Sequence, residues 1–308
     1  MEPTPDVESS VASPRILIVT GLWPTPDMPW AGTFVRDRVR GLRRPIVEAP
    51  ATYAVPMPLR YLRLGWRALT TRGKVDGVEA HVLFPAGLVG LAAARVRRVP
   101  LVLYAHGADV RDTAFENPVY RFLARLVARR ASAVLTNSAS TAAYVRALGR
   151  ETIVIPPGID LERFRPSPRP TVRRVLYLGG DSERKGYEVA RELADTVVGP
   201  GLEAVDPANV PALIAAHDVV LIPSIEEPFG VLAVEAIASG RWVVASRVGG
   251  LIDIVSDGVN GALVGDGAFA AALAKVPDYD PDTVARTAEP FSLAESWRRM
   301  DELWATLI

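Results

Sequence analysis

The densest group of residues able to do chemistry runs Ser224-Ile-Glu-Glu227-Pro-Phe-Gly230-Val-Leu-Ala-Val-Glu235. It follows an apolar run that ends at Pro223, and a helix opens near Phe229-Gly230. Two carboxylates therefore gather at one helix N-terminus. Free N–H groups and the dipole at such an end suit phosphate oxygens, and a glycine there allows a ligand to come close. A carboxylate can accept two hydrogen bonds from a vicinal diol of the kind riboses and sugars carry. Spacing alone equally allows Glu227 to be a backbone cap and Glu235 a solvated helix residue.

Other chemistry is poorly supported. With no Cys in the chain, disulfides, thiolate metal sites and cysteine nucleophiles are excluded. Asp278-Tyr-Asp280 matches a short metal-binding pattern, but Pro281 follows it and it reads as a loop. Gly179-Gly180 follows a strand without completing the dinucleotide fingerprint, so a nicotinamide dehydrogenase is not expected. His217 and His81 read as packed structural histidines, and no metal-ligand spacing occurs.

These residues must be held by two domains, the prior for 308 residues. At 49% hydrophobic and 23% charged residues there is enough apolar material for two cores. Short apolar runs at 15–20, 45–49, 79–84, 101–105, 133–137 and 152–155 alternate with helical patterns, including one from Gly32 to Arg44. After a proline-rich stretch at 163–170 the scheme repeats, with strands at 174–178, 218–223, 242–246 and 261–264. Alternation of this kind predicts an α/β architecture of two doubly wound parallel sheets, with ligands beyond the carboxyl ends of the strands. The expected organisation is an acidic disordered tail at 1–13, a first domain at 14–165, a second at 166–290 and an amphipathic helix at 291–308. Ser292 and Glu295 have capping-box spacing at the start of that helix.

Net charge is zero, but 14–165 holds 23 basic residues against 11 acidic, whereas 166–308 holds 12 against 21. A basic half suits an anionic partner. Leu59, Leu62, Trp66 and Leu69 have helical spacing among Arg60, Arg63 and Arg67, so 58–74 reads as either a core-facing stripe or a surface for an anionic membrane. Nucleic acid is not expected, since no aromatic platform accompanies the charge. The tail lacks a signal-peptide pattern and no apolar run is long enough to span a membrane. The chain reads as cytoplasmic, with peripheral contact at the inner membrane face an open option.

Glu227 and Glu235 form an E-x(7)-E pair followed by Val248-Gly-Gly250, Asp253 and Asp257-Gly258. Together with Gly179, Lys185-Gly186, His106-Gly107-Ala-Asp109, Asn137-Ser138 and Pro156-Pro-Gly-Ile-Asp160, this resembles the retaining glycosyltransferases of family four. The resemblance implies a GT-B fold of two facing Rossmann-like domains, with the last helix returning to the first. It implies a metal-independent enzyme with no cofactor, moving a hexose-type sugar from a nucleotide diphosphate donor to a hydroxyl acceptor. By the same resemblance Glu235 binds the ribose, Glu227 the donor sugar, and Phe229, Gly230 and Val231 offer backbone near the sugar and diphosphate. Lys185 neutralises the diphosphate beside Gly179 and Gly180, Gly32 faces it from the first domain, and His106 lies beside the transferred sugar. The family usually carries Arg where this chain has Gly180; Arg184 is the expected substitute, and an arginine restored at 180 should be tolerated if the site is an ordinary diphosphate pocket with room for it. The shortened stretch from 186 to 223 keeps a second expectation open, a catalytically silent subunit that binds the nucleotide sugar.

Overall fold

The computed structural model describes residues 14–25, 32–42, 45–48, 56–111, 117–265 and 267–308. The tail at 1–13 lies outside them, as does most of the proline loop after the first strand. The first domain is a six-stranded parallel sheet: β1 (Ile16–Thr20), β2 (Pro45–Glu48), β3 (Gly77–His81), β4 (Leu101–Ala105), β5 (Ala133–Thr136) and β6 (Ile153–Val154), ordered β2-β1-β3-β4-β5-β6. Strands β1, β4 and β5 are buried end to end, as their largely apolar runs require of a sheet covered on both faces, and β3 is equally buried although it carries Glu79 and His81. Its helices are α1 (Thr33–Arg40), α2 (Met57–Thr70), α3 (Ala86–Arg97), α4 (Pro118–Arg130) and α5 (Ala139–Ala147).

The strand expected at 79–84 lies earlier, at Gly77–His81, because Val82 turns to φ 83° and leaves the sheet. The first helix stops at Arg40 rather than Arg44, closed by Gly41.

The second domain holds β7 (Val175–Tyr177), β8 (Thr196–Val197), β9 (Val219–Ile222), β10 (Trp242–Ser246) and β11 (Gly261–Val264), all parallel, ordered β11-β10-β9-β7-β8. The shortened region supplies α6 (Tyr187–Leu193), the two-residue edge strand β8 and α7 (Val210–Ala215). Helices α8 (Val231–Ala238), α9 (Leu251–Ile254), α10 (Phe269–Ala274) and α11 (Pro281–Arg286) follow. The second-domain core gathers Leu176, Val220, Leu221, Val234, Ile237, Val243 and Val244. Asp278 pairs with Arg169, and Asp280 caps α11 through its bond to Thr283 N–H at 2.8 Å, so this motif is a loop and a helix cap.

The last helix, α12 (Leu293–Leu307), begins with Ser292 Oγ accepting the Glu295 N–H at 3.1 Å and returns to the first domain. Met300 and Trp304 are each 2% exposed, packed with Ile16, Ile18, Val35, Val39 and Tyr104. Burying side chains of this size contributes about 1.5–3 kcal/mol each, which fixes the helix there. To reach the first domain the chain crosses beside its own linker: Ile159 N–H donates to Phe291 O at 2.8 Å and Leu293 N–H to Ile159 O at 2.9 Å.

Candidate functional site

Sheet order places the site. In the second sheet the chain runs from β7 outward to β8, then from β9 the other way to β10 and β11, so the winding reverses between β7 and β9. Loops that leave adjacent strands in opposite directions open a crevice at their carboxyl ends. In the first sheet the same reversal lies between β1 and β3.

The loops after β7 and β9 meet across that crevice. Lys185, in the turn Glu183–Lys185, places Nζ 2.6 Å from Glu227 Oε2, with side-chain exposures of 31% and 12%. Ser224 Oγ lies 3.4 Å from the same oxygen, and Ile225 N–H donates to Arg184 O at 2.9 Å. Sequence reading gave Lys185 and Glu227 separate tasks; folded, they form one ion pair. The Arg184 side chain is exposed, while its backbone ties the two loops together.

Glu227 also holds the loop in shape. Its carbonyl accepts Gly250 N–H at 2.9 Å, which docks Val248-Gly-Gly250 under the β9 loop. Phe229 is 4% exposed against the core and meets the Phe291 ring at 6.1 Å between centroids. Gly230, at φ 112°, starts α8, whose first N–H groups at Val231 and Leu232 have no carbonyl one turn earlier to bond. The terminus and the Lys185 ammonium supply positive potential at the same strand ends.

Glu235 lies inside α8 and is half-buried. Burial pushes its carboxyl up to about 7, a rise that the nearby Arg163 charge only partly opposes. Glu235 is thus half-buried rather than fully solvated, in surroundings that favour its protonated form.

Gly179 and Gly180 do not form a loop with a vacancy. Tyr177 donates its hydroxyl to Gly180 O at 3.0 Å, Gly180 N–H bonds Val198 O at 3.1 Å, and Asp181 N–H bonds Pro200 O at 3.0 Å. Gly180 sits at φ 71°, and a Cβ built on it would run into the Pro200 carbonyl oxygen. The room on which an arginine at 180 depends is therefore not there. Strand β8 and the turn after it fill the space, and the left-handed backbone there favours glycine.

On the first domain Gly32, at φ 70°, starts α1 with its Cα packed against the Leu22 carbonyl. His106 follows β4. Its N–H and that of Gly107 donate to Asp109 Oδ1 at 2.9 and 3.0 Å, and Asn137 Nδ2 donates to His106 O at 2.9 Å. Burial, then the neighbouring His81 and the Arg38 charge, hold the His106 imidazole well below its ordinary value, so it is neutral. Gly107 packs directly on Pro228, which brings the His106 loop against the residue next to Glu227.

Three cross-domain contacts were not foreseen from sequence. Ser138 donates to Pro228 O at 2.7 Å, Ala139 N–H donates to Asp253 at 2.8 Å, and Arg111 pairs with Glu226. Asn137-Ser138 and Asp253 stood out as motif positions; nothing local to either could show that they face one another.

Two family models match the chain: Glycosyltransferase Family 4 over residues 18–163 and Glycosyl transferases group 1 over 161–277. Curated relatives named D-inositol 3-phosphate glycosyltransferase include one from Mycolicibacterium vanbaalenii, 31% identical over 73% of this chain and 64% of that protein. Another, from Arthrobacter sp. strain FB24, is 30% identical over 74% of this chain and 68% of that protein. A third, from Geodermatophilus obscurus, is 31% identical over 62% of this chain and 56% of that protein. The chain thus spans about three fifths of the length of the first of these relatives it matches. Among solved structures, Anabaena HepE in complex with UDP superposes with a TM-score of 0.73 at 20% identity, covering 96% of this chain and 100% of that one. Sucrose-phosphate synthase from Thermosynechococcus elongatus gives 0.72 at 19%, covering 96% and 99%. These likenesses support the GT-B arrangement of two Rossmann-like domains.

Proposed function

Because this chain belongs to glycosyltransferase family 4, we propose that it moves a hexose-type sugar from a nucleoside diphosphate to a hydroxyl acceptor, with retention and without a metal ion. The observation that carries the reading is the grouping of Lys185, Glu227, the α8 N-terminus and the half-buried Glu235 at one strand reversal. HepE structures carrying UDP and UDP-glucose make a uridine donor the first to test.

In this reading the ribose hydroxyls donate to Glu235 and draw it into its ionised form. The diphosphate lies across the N–H groups of Val231 and Leu232, and Lys185 leaves Glu227 for a phosphate oxygen. Glu227, released, accepts from the sugar hydroxyls. As the bond from the anomeric carbon to the phosphate breaks, the acceptor oxygen bonds that carbon from the same face and its proton passes to the departing phosphate oxygen. Negative charge grows on the phosphate during this step. Fixed donors aimed at it stabilise the transition state more than the ground state.

The acceptor side of the reading is a lipid surface. On α2, Leu64 and Ala68 are buried, yet Leu62 and Trp66 are 71% and 72% exposed, with Met57, Leu59 and Leu69 also exposed. Val119 and Phe122 of α4 are exposed as well, near Arg121 and Arg125. Helices that follow parallel strands begin at the carboxyl ends of those strands, so the exposed apolar residues at 57–62 and 119–122 flank the cleft edge. No described helix is long and apolar enough to cross a membrane, so the contact proposed is peripheral.

The test is turnover by the purified chain of a panel of nucleoside diphosphate sugars with chelator present, with and without anionic vesicles. Release of nucleoside diphosphate with the anomeric configuration kept supports the reading. Binding of a donor without turnover would support the silent subunit instead, a reading favoured by the closed loop at Gly180.

A further inference from the structure

A line of buried polar side chains runs through the first domain to His106. Arg38 on α1 donates Nε to Glu79 Oε1 at 2.9 Å, and the two side chains are 3% and 1% exposed. Glu79 and His81 stand two apart on β3 and so share one face of the sheet. Glu79 Oε1 lies 3.3 Å from His81 Nε2, and His81 Nδ1 lies 3.0 Å from His106 Nε2. The two imidazole planes are within 10° of parallel with centroids 5.3 Å apart, which at that nitrogen separation means they meet edge to edge. A proton on one ring then points in plane at the lone pair of the other. Val82, next to His81, is held at φ 83°, a strained conformation for a β-branched residue.

Chemistry fixes the order of protons along this line. A guanidinium only donates, and a carboxylate beside it only accepts. Burial acts to raise the Glu79 carboxyl, but Arg38 and His81 together outweigh it and hold the group well below the usual carboxylate range. His81 Nε2 is buried, makes no well-aligned hydrogen bond and lies 3.3 Å from the ionised Glu79 carboxylate, whose charge favours the proton on Nε2 and leaves Nδ1 as a lone pair. His106 must then carry its own on Nε2, facing His81. No hydrogen bond from a described residue reaches its remaining nitrogen, Nδ1.

We propose that Glu79 and His81 are positioning residues that lock His106 in one neutral tautomer, with Nδ1 accepting a hydrogen bond from a hydroxyl of the bound sugar. The groups facing His106 are His81 from β3, Arg38 and Phe34 from α1, Tyr104 from β4, and Asp109, which takes its backbone N–H. None of them offers Nδ1 a proton. Arg38 is itself gripped by α12, through Met300 Sδ at 2.6 Å from Nη2 and the Trp297 Nε1 bond to Arg38 O at 3.0 Å. A bare nitrogen demands a donor from the sugar, so a donor sugar lacking the matching hydroxyl should be rejected. The inference rests on the proposed transfer reaction for its sugar, but the tautomer lock can be read without turnover.

The experiment is imidazole nitrogen NMR on the full chain labelled at histidine, with and without UDP. His81 and His106 should each show a single neutral Nε2–H form from about pH 5.5 to 8. A His106 that titrates in that range, or carries its proton on Nδ1, overturns the proposal. His81→Phe removes the acceptor; His106 should then populate both tautomers, with kcat down about tenfold and the donor KM little changed. His81→Gln, whose amide oxygen can take the His106 proton, should recover most of the loss. Turnover lost in His81→Phe with an unchanged His106 tautomer overturns the positioning role. If His81→Phe fails to fold, the spectrum of the unaltered chain decides. If no sugar nucleotide is turned over, the functional reading fails while the spectrum still decides the lock.

Discussion

Replacing Glu235 with Gln isolates a carboxyl beside the α8 N-terminus whose ionisation burial opposes. The carboxyl is pushed up to about 7 in the empty site, and ribose hydroxyls can be accepted in full only by its ionised form. If binding returns it to the ordinary range, the ionised fraction before binding is roughly a tenth at pH 6 and nine tenths at pH 8. UDP affinity should then rise about tenfold over that interval, with a proton released on binding at pH 6. Titration calorimetry at each pH, in buffers of different ionisation enthalpy, measures both. The UDP phosphate titrates nearby, but it does so equally with Glu235→Gln, so the difference in slope between the two proteins belongs to Glu235. Stability changes with the opposite sign. Below the ordinary glutamate value of about 4.5 both folded and unfolded chains are protonated at this position; from there to about 7 only the unfolded chain ionises freely, so stability is lost as pH rises. The full shift corresponds to about 3 kcal/mol, and the half-exposed position reduces it to roughly 1–2 kcal/mol. Glu235→Gln should therefore melt higher at pH 8 and unchanged at pH 4. An identical affinity slope in both proteins would refute the assignment of Glu235 to the ribose.

Lys185→Ala should lower kcat about a hundredfold in the donor assay, since it removes a charge that tightens on the leaving phosphate. Glu227→Ala should impair transfer yet leave UDP affinity unchanged or higher by calorimetry, because the 2.6 Å pair no longer occupies Lys185. Gly180→Ala should cost a few kcal/mol in denaturant unfolding, from its positive φ and the Pro200 carbonyl beside it; a stability within 0.5 kcal/mol, roughly the scatter of surface changes, would contradict that packing. Changing Leu62 and Trp66 together to Ser should weaken sedimentation with anionic vesicles at least tenfold with little change in melting temperature, as both side chains are exposed.

Much of this was legible because its signals are local. Unbroken apolar runs such as Ile16–Thr20 and Trp242–Ser246 can only be buried strands, and the Ser292–Glu295 spacing marks a helix start wherever the helix goes. Glu227 and Glu235 stood out because two carboxylates and a glycine share one strand-to-helix turn. The unreadable parts depend on residues far apart in sequence. The Lys185–Glu227 pair spans 42 positions and the Glu79–His81–His106 line joins two neighbouring strands, so His81 looked like any packed histidine. Room at Gly180 was undecidable from sequence for the same reason: whether a side chain fits there is settled by Pro200, in a turn that carries no pattern of its own.

The crossing of the two inter-domain segments limits how the molecule can move. Where a single linker joins two bodies, one can swing and also spin about the connection. Here two chain segments run side by side and are bonded to each other at Ile159, Phe291 and Leu293, so the connection behaves like a strap: it flexes about one line and resists torsion. A movement of one domain against the other would therefore follow that line. The helix Leu293–Leu307 lies beyond it on the side of the first domain, and it travels with that domain as a passenger. Its grip on Arg38 is then indifferent to the state of the cleft, and the histidine line it anchors keeps its shape whether or not a substrate has arrived.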